Sequence, residues 1–142
     1  MKWLVLIYRI PREPTKGRVY VWRKLKQLGA LALQDASWVL PATERCRENF
    51  QWLASEIVEV GGESVLIEGE LLMGNTDAAL RERFEAPVRA AYEEILALLE
   101  RREPDLAALS KKYQQTLVHD YFRCPLAEQV RMRLLSANGG AL

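Results

Sequence analysis

The sequence has few of the residues that build covalent crosslinks or metal centres. Its 142 residues include two cysteines, Cys46 and Cys124, and one histidine, His119. The cysteines lie far apart and form no CxxC pair, which excludes a disulfide framework and a zinc knuckle. His119, Asp120 and Cys124 fall close together, but their spacing matches no zinc signature, and a histidine that caps a helix end is the more frequent explanation. We therefore expect neither a metal nor a cofactor.

Long apolar runs are also absent. The most apolar stretch opens the chain and is interrupted by Arg9 and Arg12, well before the length that a membrane-spanning helix requires. No small-residue cleavage site follows it, so the pattern excludes a signal peptide as well. We expect a cytoplasmic protein that does not bind membranes.

The composition is that of an ordinary globular domain, but the charge is unevenly distributed. Hydrophobic residues make up 49% of the chain and charged residues 27%, with a formal net charge of +1. Residues 1–30 carry eight basic residues against one acidic residue, whereas residues 44–105 carry fifteen acidic against seven basic. The chain is therefore predicted to have a basic N-terminal segment and an acidic middle segment.

The first half of the chain predicts six elements in the order strand, helix, strand, strand, helix, strand. The predicted elements are a buried strand from Trp3 to Tyr8, a helix over 15–28 that Gly29 ends, a hairpin within 30–40 linked at Gln34-Asp35, a helix capped by Thr43 that ends at Gly61-Gly62, and a strand within 63–72. This order is that of the split βαβ, or ferredoxin-like, arrangement.

The second half is predicted to be helical. Apolar residues recur at helical spacing from Leu80 to Leu98 with Pro87 among them, Asp105 suits a second helix start, and Pro125 suits the first turn of a third. We therefore predict an α+β protein in which a ferredoxin-like core over residues 1–72 is followed by a helical extension over residues 76–142. The extension is expected to pack on the core within one structural domain.

The basic N-terminal segment is the leading candidate site, because clustered lysines and arginines attract nucleic-acid phosphates or a tetrahedral dianion. The candidate DNA- or oxyanion-binding residues are Arg9, Arg12, Lys16, Arg18, Arg23, Lys24 and Lys26. A solvated helix face is the alternative. Arg18 is expected on the apolar side of the first helix beside Val21 and Leu25, where a partly buried guanidinium would need a partner.

The two cysteines have different interpretations. Cys46 shares a helical stripe with Phe50 and Leu53, which predicts a small core residue. Cys124 follows Arg123 at a helix start, where a thiolate is stabilised, so it is the candidate redox residue.

The aromatic residues are predicted to lie mainly in the core. Trp3, Trp38 and Trp52 are assigned there. Trp22 and Tyr20, which border the basic face, are the exceptions that could stack on bases.

Five short motifs between residues 3 and 54 have a distinctive sequence. They are Trp3-Leu-Val-Leu-Ile-Tyr8, Ile10-Pro-Arg-Glu-Pro14, Val21-Trp-Arg-Lys-Leu25, Trp38-Val-Leu-Pro41 and Asn49-Phe-Gln-Trp-Leu-Ala54. Together they resemble the N-terminal domain of the ChrB family of chromate-resistance regulatory proteins. The layout is also distantly similar to the central domain of PaaX-type repressors and to the small CRISPR-associated nucleases.

The resemblance implies a regulator that senses chromate and acts at a promoter, on a ferredoxin-like fold that often forms dimers. We therefore expect a non-enzymatic regulatory or sensor module that is a homodimer and binds promoter DNA or a chromate or sulfate oxyanion. Nuclease activity is disfavoured, because those nucleases place a metal-binding aspartate near the end of the first strand, where this chain has Arg9.

Two alternatives remain open. The first is a ferredoxin-like dimeric module that binds another protein through its acidic helices without binding DNA. The second is a redox protein that depends on Cys124.

Overall fold

The computed structural model describes residues 1–139, which divide into two compact units. The first unit comprises Met1–Ala79 and the second begins at Leu80. The third helix crosses this boundary. The described residues contain four strands and five helices, with the second half helical, so the predicted α+β class is confirmed.

The first unit has the predicted order of elements. They are β1 (Trp3–Arg9), α1 (Thr15–Gln27), β2 (Leu31–Gln34), β3 (Ser37–Pro41), α2 (Glu44–Glu59) and β4 (Glu63–Gly69). The sheet order is β2-β3-β1-β4, and each neighbouring pair is antiparallel. This order and these directions are those of a ferredoxin-like sheet, which confirms the prediction.

Local capping explains where α1 and α2 begin and end. Gly29 has a φ of 72°, and the N–H groups of Gly29 and Ala30 donate to the carbonyls of Lys26 and Leu25. This is the Schellman arrangement, which a residue without a side chain adopts without strain. At the start of α2, the Thr43 hydroxyl accepts a hydrogen bond of 3.1 Å from the backbone N–H of Cys46, as predicted.

The hairpin turn lies one residue later than predicted. Gln34 pairs with Ser37, so the link consists of Asp35 and Ala36, and Ala36 has a φ of 56°. The cause is an irregularity in β2 between Ala32 and Gln34, which gives β2 one more residue than β3 over the same length. Periodicity does not reveal such an insertion.

The core of the first unit follows from alternation in the strands and from the apolar stripes of the helices. Leu4 and Leu6 of β1 are buried, and Cys46 of α2 is also buried, as predicted. The Ser64 hydroxyl donates to the Ala54 carbonyl and so joins β4 to α2. The other buried apolar side chains of the two helices are Val21, Leu25, Phe50, Leu53 and Ile57.

The second unit is helical. Its helices are α3 (Asp77–Leu99), which contains Pro87, α4 (Leu106–His119) and α5 (Leu126–Ala137). The predicted cap is present, since the Asp105 carboxylate accepts from the N–H of Ala108 at 3.1 Å. A buried cluster joins the three helices and consists of Val88, Tyr92, Ile95, Leu109, Tyr113, Val130 and Leu134. Residues 140–142 of the predicted extension lie outside the described residues. Over residues 1–139, no helix is both long and apolar enough to cross a membrane.

Three of the four tryptophans lie where the sequence places them, and one does not. Trp3 and Trp38 are 1% and 8% exposed, and Trp22 is 52% exposed. Trp52, predicted to be buried, is 72% exposed. It follows Phe50 by two residues, and this step turns it to the opposite side of α2 from the buried stripe.

We expect Trp38→Ala to lower the free energy of unfolding by about 3 to 5 kcal/mol, because truncation of a buried aromatic side chain leaves a cavity. Urea unfolding followed by far-UV circular dichroism measures the change. Trp52→Ala is the matched control and should stay within about 0.5 kcal/mol of the wild type. Equal midpoints for Trp38→Ala and the wild type would contradict the assignment of Trp38 to the core.

Candidate functional site

A cleft lies at the end of β1, beside the N-terminal half of α1. Its volume is about 820 Å³. The backbone N–H of Tyr8 donates to the carbonyl of Ala36 at 3.1 Å, which brings the β2–β3 turn to the same place. The residues that line the cleft are Tyr8, Arg9, Ile10, Thr15, Arg18, Val19, Trp22, Arg23, Asp35 and Ala36.

Helical spacing explains which side chains of α1 line this cleft. Thr15, Arg18, Val19 and Trp22 follow one another at intervals of three, one and three residues, so they share one face of the helix. A different face is buried, at Gly17, Val21 and Leu25. The apolar spacing of the sequence predicts the buried face but does not predict which side chains line the cleft.

The structure corrects the expected position of Arg18. Helical spacing predicts it to be partly buried beside Val21 and Leu25, but Arg18 is exposed. It follows Gly17 by one residue, and this step of about 100° places it at the border between the buried stripe and the face that lines the cleft, where its long side chain reaches the solvent. Within residues 1–139, neither Arg18 nor Arg23 forms an ion pair with a carboxylate.

The seven predicted bases do not form one site. Arg9, Arg18 and Arg23 line the cleft, and Arg12 is exposed in the loop between β1 and α1. The remaining three are lysines with other surroundings. Lys16 lines a second groove of about 710 Å³ together with Val19, Tyr20 and Val60.

Lys24 and Lys26 lie over aromatic rings. Lys24 Nζ is 5.6 Å from the centroid of the Tyr20 ring. Lys26 Nζ is 5.5 Å from the Trp22 ring and 5.9 Å from the Trp38 ring. These are cation–π distances, so Lys26 holds the indole of Trp22 in place at the border of the cleft.

Arg9 is the one arginine of the cleft with an acidic partner. Its guanidinium lies 2.6 Å from Glu63, the residue opposite it on β4. Both side chains are highly exposed, at 80% and 75%, so water screens this ion pair and it adds little to stability. Arg9 can therefore exchange this partner for a ligand at low cost.

Tyr8 supplies the cleft with a hydrogen-bond donor. Burial raises the pKa of its hydroxyl, and a hydrogen bond with Trp38 and the positive charge of Arg18 oppose only part of this rise. The hydroxyl therefore keeps its proton at neutral pH. Tyr20 points elsewhere, because its hydroxyl is bound to Glu56 of α2, and this hydrogen bond raises the pKa of Tyr20.

A family model described as "Protein ChrB, N-terminal" matches residues 18–119. That range is more than half of the chain. The chain belongs to the ChrB N-terminal family. It is also similar to "Protein ChrB" of Cupriavidus metallidurans strain CH34, with 29% identity over 83 residues. This alignment covers 58% of the chain and 26% of the relative, so the chain spans about a quarter of that protein. No solved structure matches.

Family membership relates the chain to chromate resistance, and the match divides the candidate residues. Arg18, Trp22 and Arg23 lie within the range that matches the ChrB model. Arg9 precedes that range, and Cys124 follows it. The α1 side of the cleft is therefore part of the ChrB N-terminal domain as its family model defines it.

Cys124 lies in the second unit, just before α5, and it has a structural environment. It is half-buried against the apolar cluster of that unit. Its backbone N–H donates to one oxygen of Asp120 at 2.8 Å, and the Tyr92 hydroxyl donates to the other oxygen at 2.8 Å. Burial, and then this hydrogen bond, raise the pKa of Tyr92. The sequence shows Asp120 beside His119 but gives no sign of its contact with Tyr92, which is 28 residues away along the chain.

The acidic and thiol residues form no evident metal site. Among residues 1–139, no group of three or more histidine, cysteine, aspartate or glutamate side chains is placed to hold a metal ion. Asp120 serves to link Tyr92 of α3 to the start of α5 through two hydrogen bonds.

We expect the two cysteines to differ in reactivity. Cys46 is fully buried and Cys124 is half-buried, so a disulfide reagent such as DTNB should modify one thiol in the folded protein and two after denaturation. Cys124→Ser should abolish the reaction of the folded protein, and Cys46→Ser should preserve it. Modification of Cys46 first would contradict these environments.

Proposed function

We propose that the chain is a non-enzymatic regulatory module of chromate resistance that binds the phosphates of promoter DNA through the cleft beside α1. One observation carries the proposal. Arg9, Arg18 and Arg23 line a single cleft, and the latter two have no carboxylate partner in the part of the chain that the structure describes. Unpaired guanidinium groups on one surface are what a DNA backbone attracts.

The chemistry of the cleft supports an anionic ligand. A guanidinium offers paired donors that match the oxygens of a phosphate or of chromate. The first turn of α1 contains no acidic residue, so no negative charge there offsets the positive end of the helix dipole. The dipole therefore adds to the positive field of Arg18. These contacts would position DNA without reading its sequence.

The same residues suit a tetrahedral dianion, and this suggests how chromate would act. Chromate or sulfate bound by Arg18 and Arg23 would occupy the donors that otherwise hold phosphate. Competition for these groups would release the promoter. Catalysis is not needed for this role, and the three arginines of the cleft are unfavourable for a metal-dependent nuclease, which needs carboxylates.

We expect Arg18→Glu combined with Arg23→Glu to weaken binding to the promoter of the protein's own operon by at least about tenfold, because two phosphate contacts are lost. Each lost contact also lowers the dependence of binding on salt concentration. Band-shift titrations at several salt concentrations measure both effects. Arg101→Glu with Arg102→Glu changes the charge equally at exposed positions between α3 and α4 and is the matched control. Equal affinity of a folded double variant and the wild type would remove the cleft from the DNA-binding surface.

Chromate and sulfate added to the same titrations test the mode of sensing. Competition predicts that both anions release DNA and that Cys124→Ser responds as the wild type does. Arg12→Ala then shows whether the loop between β1 and α1 contributes to anion binding. If only chromate acts and only Cys124→Ser loses the response, sensing is an oxidation of the thiol and the redox alternative replaces competition.

A second candidate function, a homodimeric protein-interaction module, is favoured by the exposed face of the sheet. Ile7, Val65 and Ile67 lie on one face of the β1–β4 pair and are 40%, 56% and 46% exposed. β4 is the last strand of the sheet, so its outer edge carries backbone groups that a further strand can pair with. Acidic helices are a weaker surface for a partner, since arginines already pair with Glu82 and Glu85 of α3.

A second copy of this chain fits that edge. If two β4 strands pair antiparallel about Leu66, Val65 lies opposite Ile67 of the other copy, and Glu63 lies opposite Gly69. No two carboxylates face each other directly, and the apolar side chains form one continuous strip.

We expect Ile67→Lys to convert a dimer into a monomer, because it places two charges in the centre of this strip. Sedimentation equilibrium or light scattering on a size-exclusion column gives the mass. Val58→Lys, at a position of α2 that is 58% exposed, is the control and should leave the mass unchanged. A wild-type chain that stays monomeric at its highest soluble concentration would contradict this second function.

A further inference from the structure

We infer that the cleft beside α1 binds a single nucleotide unit, with its phosphate on Arg18 and Arg23 and its base stacked on Trp22. The inference rests on the proposed function, because the same arginines serve both. It goes further in naming the base as part of the ligand. A DNA backbone alone does not explain every residue that lines the cleft.

The cleft combines three kinds of chemistry. Besides the arginines it contains the indole of Trp22, which is 52% exposed, and the carboxylate of Asp35. A simple dianion uses only the arginines and leaves Asp35 and Trp22 without a part in binding. A nucleotide uses all three, since its phosphate takes guanidinium donors, its base offers an aromatic face, and its base edge carries N–H donors for a carboxylate.

The dimensions of the cleft also suit this ligand. Its volume of about 820 Å³ lies within the usual range of small-molecule sites. Arg18 and Trp22 are separated by about one turn of α1, or roughly 6 Å along the helix axis, so phosphate and base can be bound in one extended ligand. Lys26 already holds the indole of Trp22, which lowers the cost of ordering it for stacking.

The position of Asp35 indicates which base is preferred. It lies in the β2–β3 turn, and this turn is held against β1 by the bond between Tyr8 and Ala36. Guanine is the base whose edge presents two adjacent N–H donors that both oxygens of a carboxylate can accept. We therefore expect guanine nucleotides to bind better than adenine nucleotides. The protonated hydroxyl of Tyr8 is a further donor for the phosphate.

Calorimetric titration of the full chain tests the inference. The probes are GMP, AMP, guanosine, inorganic phosphate and a 5′-phosphorylated oligonucleotide of four guanines or fewer. We expect GMP to bind at least about tenfold more tightly than phosphate or guanosine, and more tightly than AMP. Equal affinity of GMP and phosphate would overturn the inference.

Single variants assign the contributions within the site. Trp22→Ala should weaken GMP binding at least about fivefold and leave phosphate binding unchanged, because stacking involves only the base. Asp35→Asn should remove the preference for GMP over AMP. Trp52→Ala, which removes an even more exposed tryptophan from α2, is the control and should change nothing. Unchanged GMP binding by a folded Trp22→Ala variant would exclude stacking.

The titrations distinguish a free nucleotide from the end of a nucleic-acid strand. Together with the band-shift, they also distinguish the nucleotide site from the proposed DNA-binding function. An oligonucleotide that binds much more tightly than GMP identifies the end of a single strand as the ligand, and equal binding identifies a free nucleotide. If GMP binds but the promoter band-shift does not respond to Arg18→Glu with Arg23→Glu, the DNA-binding function fails and the nucleotide site stands. If the band-shift responds and GMP binds no better than phosphate, the nucleotide site fails and the DNA-binding function stands.

Discussion

The first unit depends on the central position of β1 in the sheet. This strand pairs with β3 on one side and β4 on the other, and its side chains Leu4 and Leu6 are completely removed from water. Burial of such side chains supplies most of the free energy that orders the chain. Because β1 is held along both edges, its final residues, Tyr8 and Arg9, are fixed in place beside α1. The cleft is a consequence of that constraint.

Close packing of α1 then decides which basic residues reach the cleft. Gly17 lies close to Val60, since a Cβ added at Gly17 would be 3.4 Å from the Val60 side chain, which is van der Waals contact. With Gly17, Val21 and Leu25 turned inward, the helical period leaves Arg18 and Trp22 on the cleft side. The electrostatic character of the site therefore follows from the packing of the opposite face.

Membership of the ChrB N-terminal family and the shape of the first unit lead to two surfaces with different chemistry. The cleft is cationic and contains an aromatic side chain, which suits phosphates and bases. The outer edge of β4 is apolar on one face, with Val65 and Ile67 exposed, which suits a second copy. The two surfaces involve different residues, so DNA binding and dimerisation are compatible. A dimer would present two clefts, and this would strengthen binding to a long anionic partner.

The sequence predicts the order of the elements, the fold class and the caps, because these follow from local patterns such as the glycine at the end of α1 and Thr43 before α2. It also identified the basic segment, since charge can be counted. Three features depend on packing instead: Arg18 is exposed, Trp52 lies outside the core, and Asp35 shares a cleft with the arginines. Helical periodicity assigns residues to a face without saying which faces meet a neighbour. Which residues come together from β1, α1 and a turn depends on packing between segments that are distant along the chain.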